Sequence, residues 1–311
     1  MEEAGTNYIP DTSLDSPIIP DTCIEDRFVS VDGAGLMHLE VAGTGDPLLL
    51  LHGLIGSAQS WRQNISFLAR EATVYAIDLF NMGKSERVPG LDAGLEATAD
   101  RIAALMDALE LPQADIVAHS HGGAIAMMLA ARHPQRVRRL ILFAPANPFC
   151  KSRRLVISFF QTKLGTWLAR RVPSLPRPIH AKALCRMYGD PSRVAEGTLD
   201  VYTAGLDIPG TMDHIVQILR CWFDDMQQLR SALGGLASMP TLLIWGDRDR
   251  AVNLSSALGL QRTLAQSRLL VIEGAGHLPF EEMPETCNLA MRDWLIASHS
   301  PGSVALTTEP A

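Results

Sequence analysis

The chain has no CxxC pair, no long uninterrupted apolar run and no excess of positive charge, and each absence closes off a class of function. Its five cysteines (Cys23, Cys150, Cys185, Cys221 and Cys287) are odd in number and widely scattered. That pattern signals neither a zinc site nor a disulfide framework, so they are read as free thiols in a reducing compartment, with no metal expected. The longest apolar runs fall well short of the length that crosses a bilayer. The start, Met1-Glu2-Glu3-Ala4, is acidic and leads into no apolar segment, so no secretory signal is expected and a cytoplasmic location is. A formal net charge of −7 argues against nucleic acid as the main partner.

What remains is a globular composition. Apolar residues make up 47% of the chain, enough for a sizeable core, and 20% charged residues exclude general disorder. A length of 311 residues suits one large α/β domain carrying an insertion.

Residues 1–26 are rich in Pro, Asp and Thr, repeat Ile-Pro-Asp-Thr at 9–12 and 19–22, and read as an irregular arm. Residues 299–311 read as a loose tail. Between them, Arg27–Val31 and Leu36–Ala42 flank the turn Asp32-Gly33-Ala34-Gly35 as a hairpin. Short continuous apolar runs follow at Pro47–Leu51, Thr73–Ile77, Asp115–Ala118, Val137–Phe143, Thr241–Trp245 and Arg268–Ile272. Strands buried on both faces of a parallel sheet require such runs. Helical stretches such as Ala97–Leu109 and Gly123–Arg132 separate most of them, which predicts a doubly wound, mostly parallel α/β sheet.

The alternation stops across 145–238, where no strand pattern occurs. Val156, Phe160, Leu164 and Trp167 share one helical stripe there, and Ile215, Leu219, Trp222, Met226 and Leu229 share a second. The expected organisation is an α/β core over 27–144 and 239–298, with an all-helical cap over 145–238. Such a cap would sit at the carboxyl edge of the sheet, where open α/β sheets hold their sites.

Ser120, in Ala118-His119-Ser120-His121-Gly122-Gly123, follows one apolar run and precedes a helix. A serine on so sharp a turn needs small residues two positions to either side, and Ala118 and Gly122 supply them. The turn exposes the hydroxyl and aims the His121 N–H at a developing oxyanion. A hydroxyl needs a general base, and His277 follows the strand ending at Ile272. Of two acids after the strand Thr241–Trp245, Asp249 lies further into the loop and is chosen to orient His277; Asp247 is read as a turn residue. The Leu54 N–H, after His52-Gly53, is the expected second oxyanion donor. On this turn the side chains of His119 and His121 should diverge, which disfavours a metal pair.

With these residues assembled, the sequence resembles the α/β-hydrolase superfamily of serine hydrolases from about Arg27 to Ser298. The motifs, in order, are His52-Gly53 with Trp61 downstream, Asp78–Ser85, the turn at Ser120, Gly246-Asp247-Arg248-Asp249, and Gly276-His277 with Glu281 and Pro284 beyond. The resemblance implies an eight-stranded, mostly parallel sheet and a triad of Ser120, His277 and Asp249. Ala118 stands where Gly is commoner in that family. A serine nucleophile argues against haloalkane dehalogenase and epoxide hydrolase chemistry, which uses an aspartate. The loop after His52-Gly53 lacks the Ser-Gly-Pro-Gly run associated with carbon–carbon bond hydrolases.

The expected activity is hydrolysis of a small carboxylic ester with an apolar acyl part, through an acyl-enzyme and without a cofactor. Two alternatives stand beside it: a thioesterase or carbon–carbon hydrolase using the same residues, and a non-catalytic binding protein on a hydrolase scaffold. His52, Gly53, Phe160, Trp167 and Trp222 are the expected pocket residues. Residues 150–193 hold ten Lys/Arg against the single acid Asp190. That basic cap is either a solvated helix face or an attractor of something anionic, whether an acyl donor or a membrane surface.

Overall fold

A computed structural model describes residues 23–31, 33–152 and 154–297. Most of the N-terminal arm, with both Ile-Pro-Asp-Thr repeats, and the C-terminal tail lie outside the described residues, as do Asp32 and Arg153.

The chain opens with strands β1 (Glu25–Val31), β2 (Gly35–Ala42) and β3 (Asp46–Leu51). After the short helix α1 (Ile65–Leu68) come β4 (Ala72–Ile77), α2 (Leu95–Ala108), β5 (Ala114–His119), α3 (His121–Arg132) and β6 (Val137–Phe143). Five helices follow: α4 (Arg154–Gln161), α5 (Lys163–Ala169), α6 (Arg177–Cys185), α7 (Thr198–Thr203) and α8 (Thr211–Ala232). The chain returns through β7 (Thr241–Gly246), α9 (Ala257–Thr263), β8 (Ser267–Ile272), α10 (Pro279–Glu282) and α11 (Pro284–Ala297). The strand order is β1-β2-β4-β3-β5-β6-β7-β8; β2 pairs antiparallel with β1 and β4, and every other pair is parallel.

The continuous apolar runs are explained by two cores, one on each face of the sheet. Leu49 and Leu51 of β3 point into one with Ile116 and Ala118, whereas Leu48 and Leu50 point into the other with Val117. Period-two alternation therefore fills both faces with leucine and valine, and leaves no polar side to read. On the second face Trp61, Phe143 and Phe280 stack together, Trp61 lying 4.3 Å from Phe280 between ring centres.

Parallel registry sets the carboxyl ends in a row: Leu51 lies opposite Ala118, His119 opposite Phe143, and Gly246 opposite Ile272. The loops leaving β3, β5, β7 and β8 thus open along one edge of the sheet. Asp78, at the end of β4, accepts the N–H groups of Ala58 and Lys84 at 2.6 and 2.7 Å and pairs with His38 at 2.8 Å. This braces another loop on that edge. A Cβ at Gly83, where φ is +48°, would fall 2.0 Å from the Asp78 carboxyl carbon.

Several expectations shift. The N-terminal strand begins at Glu25, and the α3 helix starts at His121, directly after Ser120, because a tight turn leaves no spacer. The Val156–Trp167 stripe is broken into two helices at Thr162, whose hydroxyl accepts the Gly165 N–H at 3.0 Å and caps α5. The second stripe lies on one continuous helix, α8. Among the described residues no helix is long and apolar enough to cross a membrane.

At Gly122 a Cβ would come 2.4 Å from the His52 carbonyl oxygen and 2.7 Å from that of Leu51. Both neighbours are backbone and cannot turn aside. Gly122→Ala is expected to lower stability by roughly 1–3 kcal/mol, read as a drop in the urea midpoint at unchanged slope.

Candidate active site

The turn between β5 and α3 is held in a conformation that L-residues rarely adopt. Ser120 has φ +51° and ψ −116°. Such a geometry persists only where the surroundings over-determine it. Here its N–H donates to Phe143 O at 3.0 Å, and its carbonyl accepts the N–H groups of Gly123, Ala124 and Ala146. Gly53 lies against the same turn, for its Cβ would meet the Ser120 Cβ at 3.2 Å.

Three side chains predicted from separate segments form one hydrogen-bonded row. The Ser120 hydroxyl donates to His277 Nε2 at 3.0 Å, and His277 Nδ1–H donates to Asp249 Oδ2 at 2.8 Å. The other Asp249 oxygen accepts the Ala251 and Val252 N–H groups at 2.7 and 3.0 Å, which fixes the carboxylate plane. Asp247 instead accepts the Gly274 N–H at 2.7 Å, the turn role expected of it. A carboxylate that only accepts forces the His277 proton onto Nδ1, leaving Nε2 able to take one from the serine.

The loop bearing His277 is fastened to the helical insertion. The His277 N–H donates to Met187 O at 2.6 Å. The Glu282 side chain, fully buried, accepts the N–H groups of Gly276, Gly189 and Asp190 at 2.7, 2.9 and 2.8 Å. Beside it Glu281 accepts the hydroxyls of Tyr188 and Tyr202 at 2.9 and 2.8 Å and pairs with Arg62. Sequence reading carried Glu281 only as part of a motif and missed Glu282. The available signal was two acids in a helix start otherwise made of Leu278, Pro279, Phe280 and Met283, because buried acids have to be paired.

The histidines divide by environment. His52 is fully buried: Nδ1–H donates to Gly53 O at 2.7 Å and Nε2 accepts the Leu79 N–H at 3.1 Å. It is a strut between two loops rather than the pocket side chain expected of it, because both ring nitrogens are already engaged. His119 also lies under the turn, donating from Nε2 to His277 O at 3.0 Å, and burial holds its pKa well below the usual value. His121 takes a different course and stacks on Trp222, ring centres 6.0 Å apart. Among the described residues its buried Nδ1 has no hydrogen-bond partner, and His121 lines a small cavity with Arg101, His214 and Ile218. That cavity reaches His121 but not the Ser120 hydroxyl.

Of the other expected pocket residues, Phe160 and Trp222 meet the Leu54 side chain in one apolar cluster with Met82, Ile215 and Ile218. Trp167 does not join them. It is 53% exposed and lies under the Arg171 guanidinium at 5.3 Å, because the break at Thr162 turns it outward. Among the described residues no group accepts the N–H of Leu54 or of His121.

Burial lowers the pKa of His121 to about 3 and that of His214 to about 4, with Arg101 adding to the effect at His214. In the unfolded chain both imidazoles bind protons below about 6.5, whereas the folded ones stay neutral until these lower values. Stability is therefore lost as pH falls from about 6.5 toward 4. His214→Phe should shrink the fall in unfolding free energy between about pH 7 and pH 5 by roughly 1–2 kcal/mol, measured by urea titration at both values. An equal fall in variant and parent would remove His214 from the account.

Comparison with known proteins bears on the family and the fold. A sequence profile of the α/β hydrolase fold matches residues 46–284. A dihydrolipoyllysine-residue acetyltransferase component of the acetoin cleaving system from Pseudomonas putida is 28% identical over 267 residues, covering 85% of this chain and 68% of that protein. The 2-hydroxymuconate semialdehyde hydrolase of Pseudomonas sp. (strain CF600) is 28% identical over 263 residues, covering 77% and 83%. Among solved structures, an epoxide hydrolase from an endophytic Streptomyces superposes with a TM-score of 0.78 at 23% identity, covering 89% of this chain and 96% of that one. A meta-cleavage product hydrolase from Pseudomonas fluorescens IP01 does so at 0.74 and 23%, covering 88% and 98%. At that identity the structural likeness speaks for the fold alone.

Proposed function

The chain belongs to the α/β hydrolase fold family, and from that premise we propose that it is a serine hydrolase cleaving carboxylic esters with an apolar acyl part. The observation that carries this reading is the hydrogen-bonded row Ser120–His277–Asp249, at 3.0 and 2.8 Å.

Ser120 Oγ attacks the ester carbonyl as its proton passes to His277 Nε2. Asp249 holds the imidazole in the accepting tautomer and stabilises the imidazolium that forms. The tetrahedral oxyanion sits between the N–H groups of Leu54 and His121, the latter at the positive end of α3. His277 then protonates the departing alkoxide. A water that gives its proton to His277 attacks the acyl-enzyme, and the acid leaves with Ser120 restored. Preference for an apolar acyl group rests on Leu54, Phe160 and Trp222, which share one apolar cluster, with Trp222 stacked on His121, the residue after Ser120. A cytoplasmic setting, expected from the scattered cysteines of the sequence, belongs to this reading.

A second reading, hydrolysis of a carbon–carbon bond by the same residues, is favoured by the 28% identity to 2-hydroxymuconate semialdehyde hydrolase. Parallel assays on p-nitrophenyl butyrate and a vinylogous 1,5-diketone dienoate separate the two by which is turned over with the higher kcat/KM.

A fluorophosphonate should label the protein at Ser120 and fail to label Ser120→Ala, which should also lose p-nitrophenyl butyrate turnover by on the order of 10⁴-fold or more. Asp249→Asn should lower kcat by about 10³–10⁴-fold with little change in KM, because the wrong tautomer then faces the serine. Turnover by Ser120→Ala equal to that of the parent would falsify the assignment.

A further inference from the structure

Fifteen large apolar residues are exposed among the described residues, and eight of them fall between 155 and 179. Helices α4 and α5 carry six: Leu155 (87% exposed), Val156, Phe159, Leu164, Trp167 and Leu168. On α4 no residue is buried. Singly exposed apolar side chains need no explanation, but a contiguous group on two adjoining helices does.

The two helices form a tight corner that holds this face together. A Cβ at Gly165 would lie 2.0 Å from Phe159 O and 2.8 Å from Phe160 Cα, so the end of α4 rests on the start of α5 with no side chain between them. Thr162 Oγ1 donates to Phe159 O at 2.7 Å, and Thr166 Oγ1 donates to Phe160 O at 3.2 Å. Inward, Phe160 and Ala169 pack in the cluster that includes Leu54 and Trp222. The exposed face is thus the outer side of a layer whose inner side packs in that cluster.

Its rim is basic. Residues 150–189 contain no acid at all. Arg170 and Arg177 pair with acids of other segments, Asp213 and Asp200, while Lys163 and Arg154 form no ion pair among the described residues. Arg154 and Arg171 lie over the Phe223 and Trp167 rings at 5.4 and 5.3 Å. Leucines and a tryptophan surrounded by Lys and Arg match the headgroup and outer acyl region of an anionic bilayer, where the rings and aliphatic chains enter and the cations meet lipid phosphates. A second copy of the chain fits less well. A two-fold contact would set this basic rim against itself.

We propose that the α4–α5 corner docks the protein on an anionic membrane surface, through Leu164, Trp167 and their apolar neighbours with Lys163 and Arg171 at the rim. Docking does not depend on the chemistry proposed for Ser120, and the test reads binding alone. The full-length protein is sedimented with vesicles of phosphatidylcholine and with vesicles of equal parts phosphatidylcholine and phosphatidylglycerol, at low and high salt. The expected result is binding to the anionic vesicles only, weakened by salt, with a blue shift in tryptophan emission that Trp167→Phe removes. Leu164→Glu with Trp167→Glu should weaken binding at least tenfold, and Lys163→Glu with Arg171→Glu should weaken it and flatten its salt dependence. All four positions are exposed, so unchanged thermal melts certify folding. Equal binding to both vesicle types, no binding to either, or full binding by the Leu164/Trp167 variant would overturn the proposal. A concentration-dependent dimer that this variant abolishes, without vesicle binding, would assign the face to a second copy instead.

Discussion

Everything at the carboxyl edge of this sheet depends on two backbones meeting without side chains between them. The turn at Ser120 is pressed against the end of β3, with Gly122 on the carbonyls of Leu51 and His52 and Gly53 against the turn itself. This contact lets four hydrogen bonds to the Ser120 backbone hold a positive φ that would otherwise relax. A hydroxyl on a relaxed turn would lose its aim at His277. The glycines therefore hold the Ser120 hydroxyl in place through backbone contact alone.

A second dependence links the site to the insertion. The loop carrying His277 is not fixed by the sheet alone. The His277 N–H goes to Met187 O and the Gly276 N–H to the buried Glu282 carboxylate, which also receives the amides of Gly189 and Asp190. Each of those amides would be costly to leave unpaired in the interior. The helical insertion and the base-bearing loop consequently share one carboxylate, so displacing the segment 187–190 also disturbs the histidine. Charge-neutral burial runs through the same region: His52, His119, His121 and His214 are all held below their ordinary pKa by burial, which keeps the surroundings of the serine free of extra positive charge at neutral pH.

The insertion has two unlike faces. Phe160 and Ala169 look toward Leu54 and Trp222, while Leu164 and Trp167 look outward among lysines and arginines. Phe160, Leu164 and Trp167 nevertheless fall on one apolar stripe when the chain is read at helical spacing. The break at Thr162 divides them, and Trp167 belongs to the outer face because of it.

The sequence by itself determined the sheet and the order of the site. Runs such as Leu48–Leu51 and Leu140–Phe143, apolar at every position, have no amphipathic reading and had to be strands covered on both faces. Ser120, Asp249 and His277 each follow such a strand directly, so the parallel direction alone brings them to one edge. What only the tertiary structure decided is which side chains fill the space around them. His52 and Trp167 lay at plausible positions, yet one has both nitrogens engaged inside and the other faces out. Glu282 carried no local pattern, because its partners are amides 92, 93 and 6 residues before it, and hydrogen bonds across such separations leave no periodicity to read. Local spacing encodes where a backbone goes. Contacts between distant segments settle which of its side chains are used, and these exist only once the chain has closed.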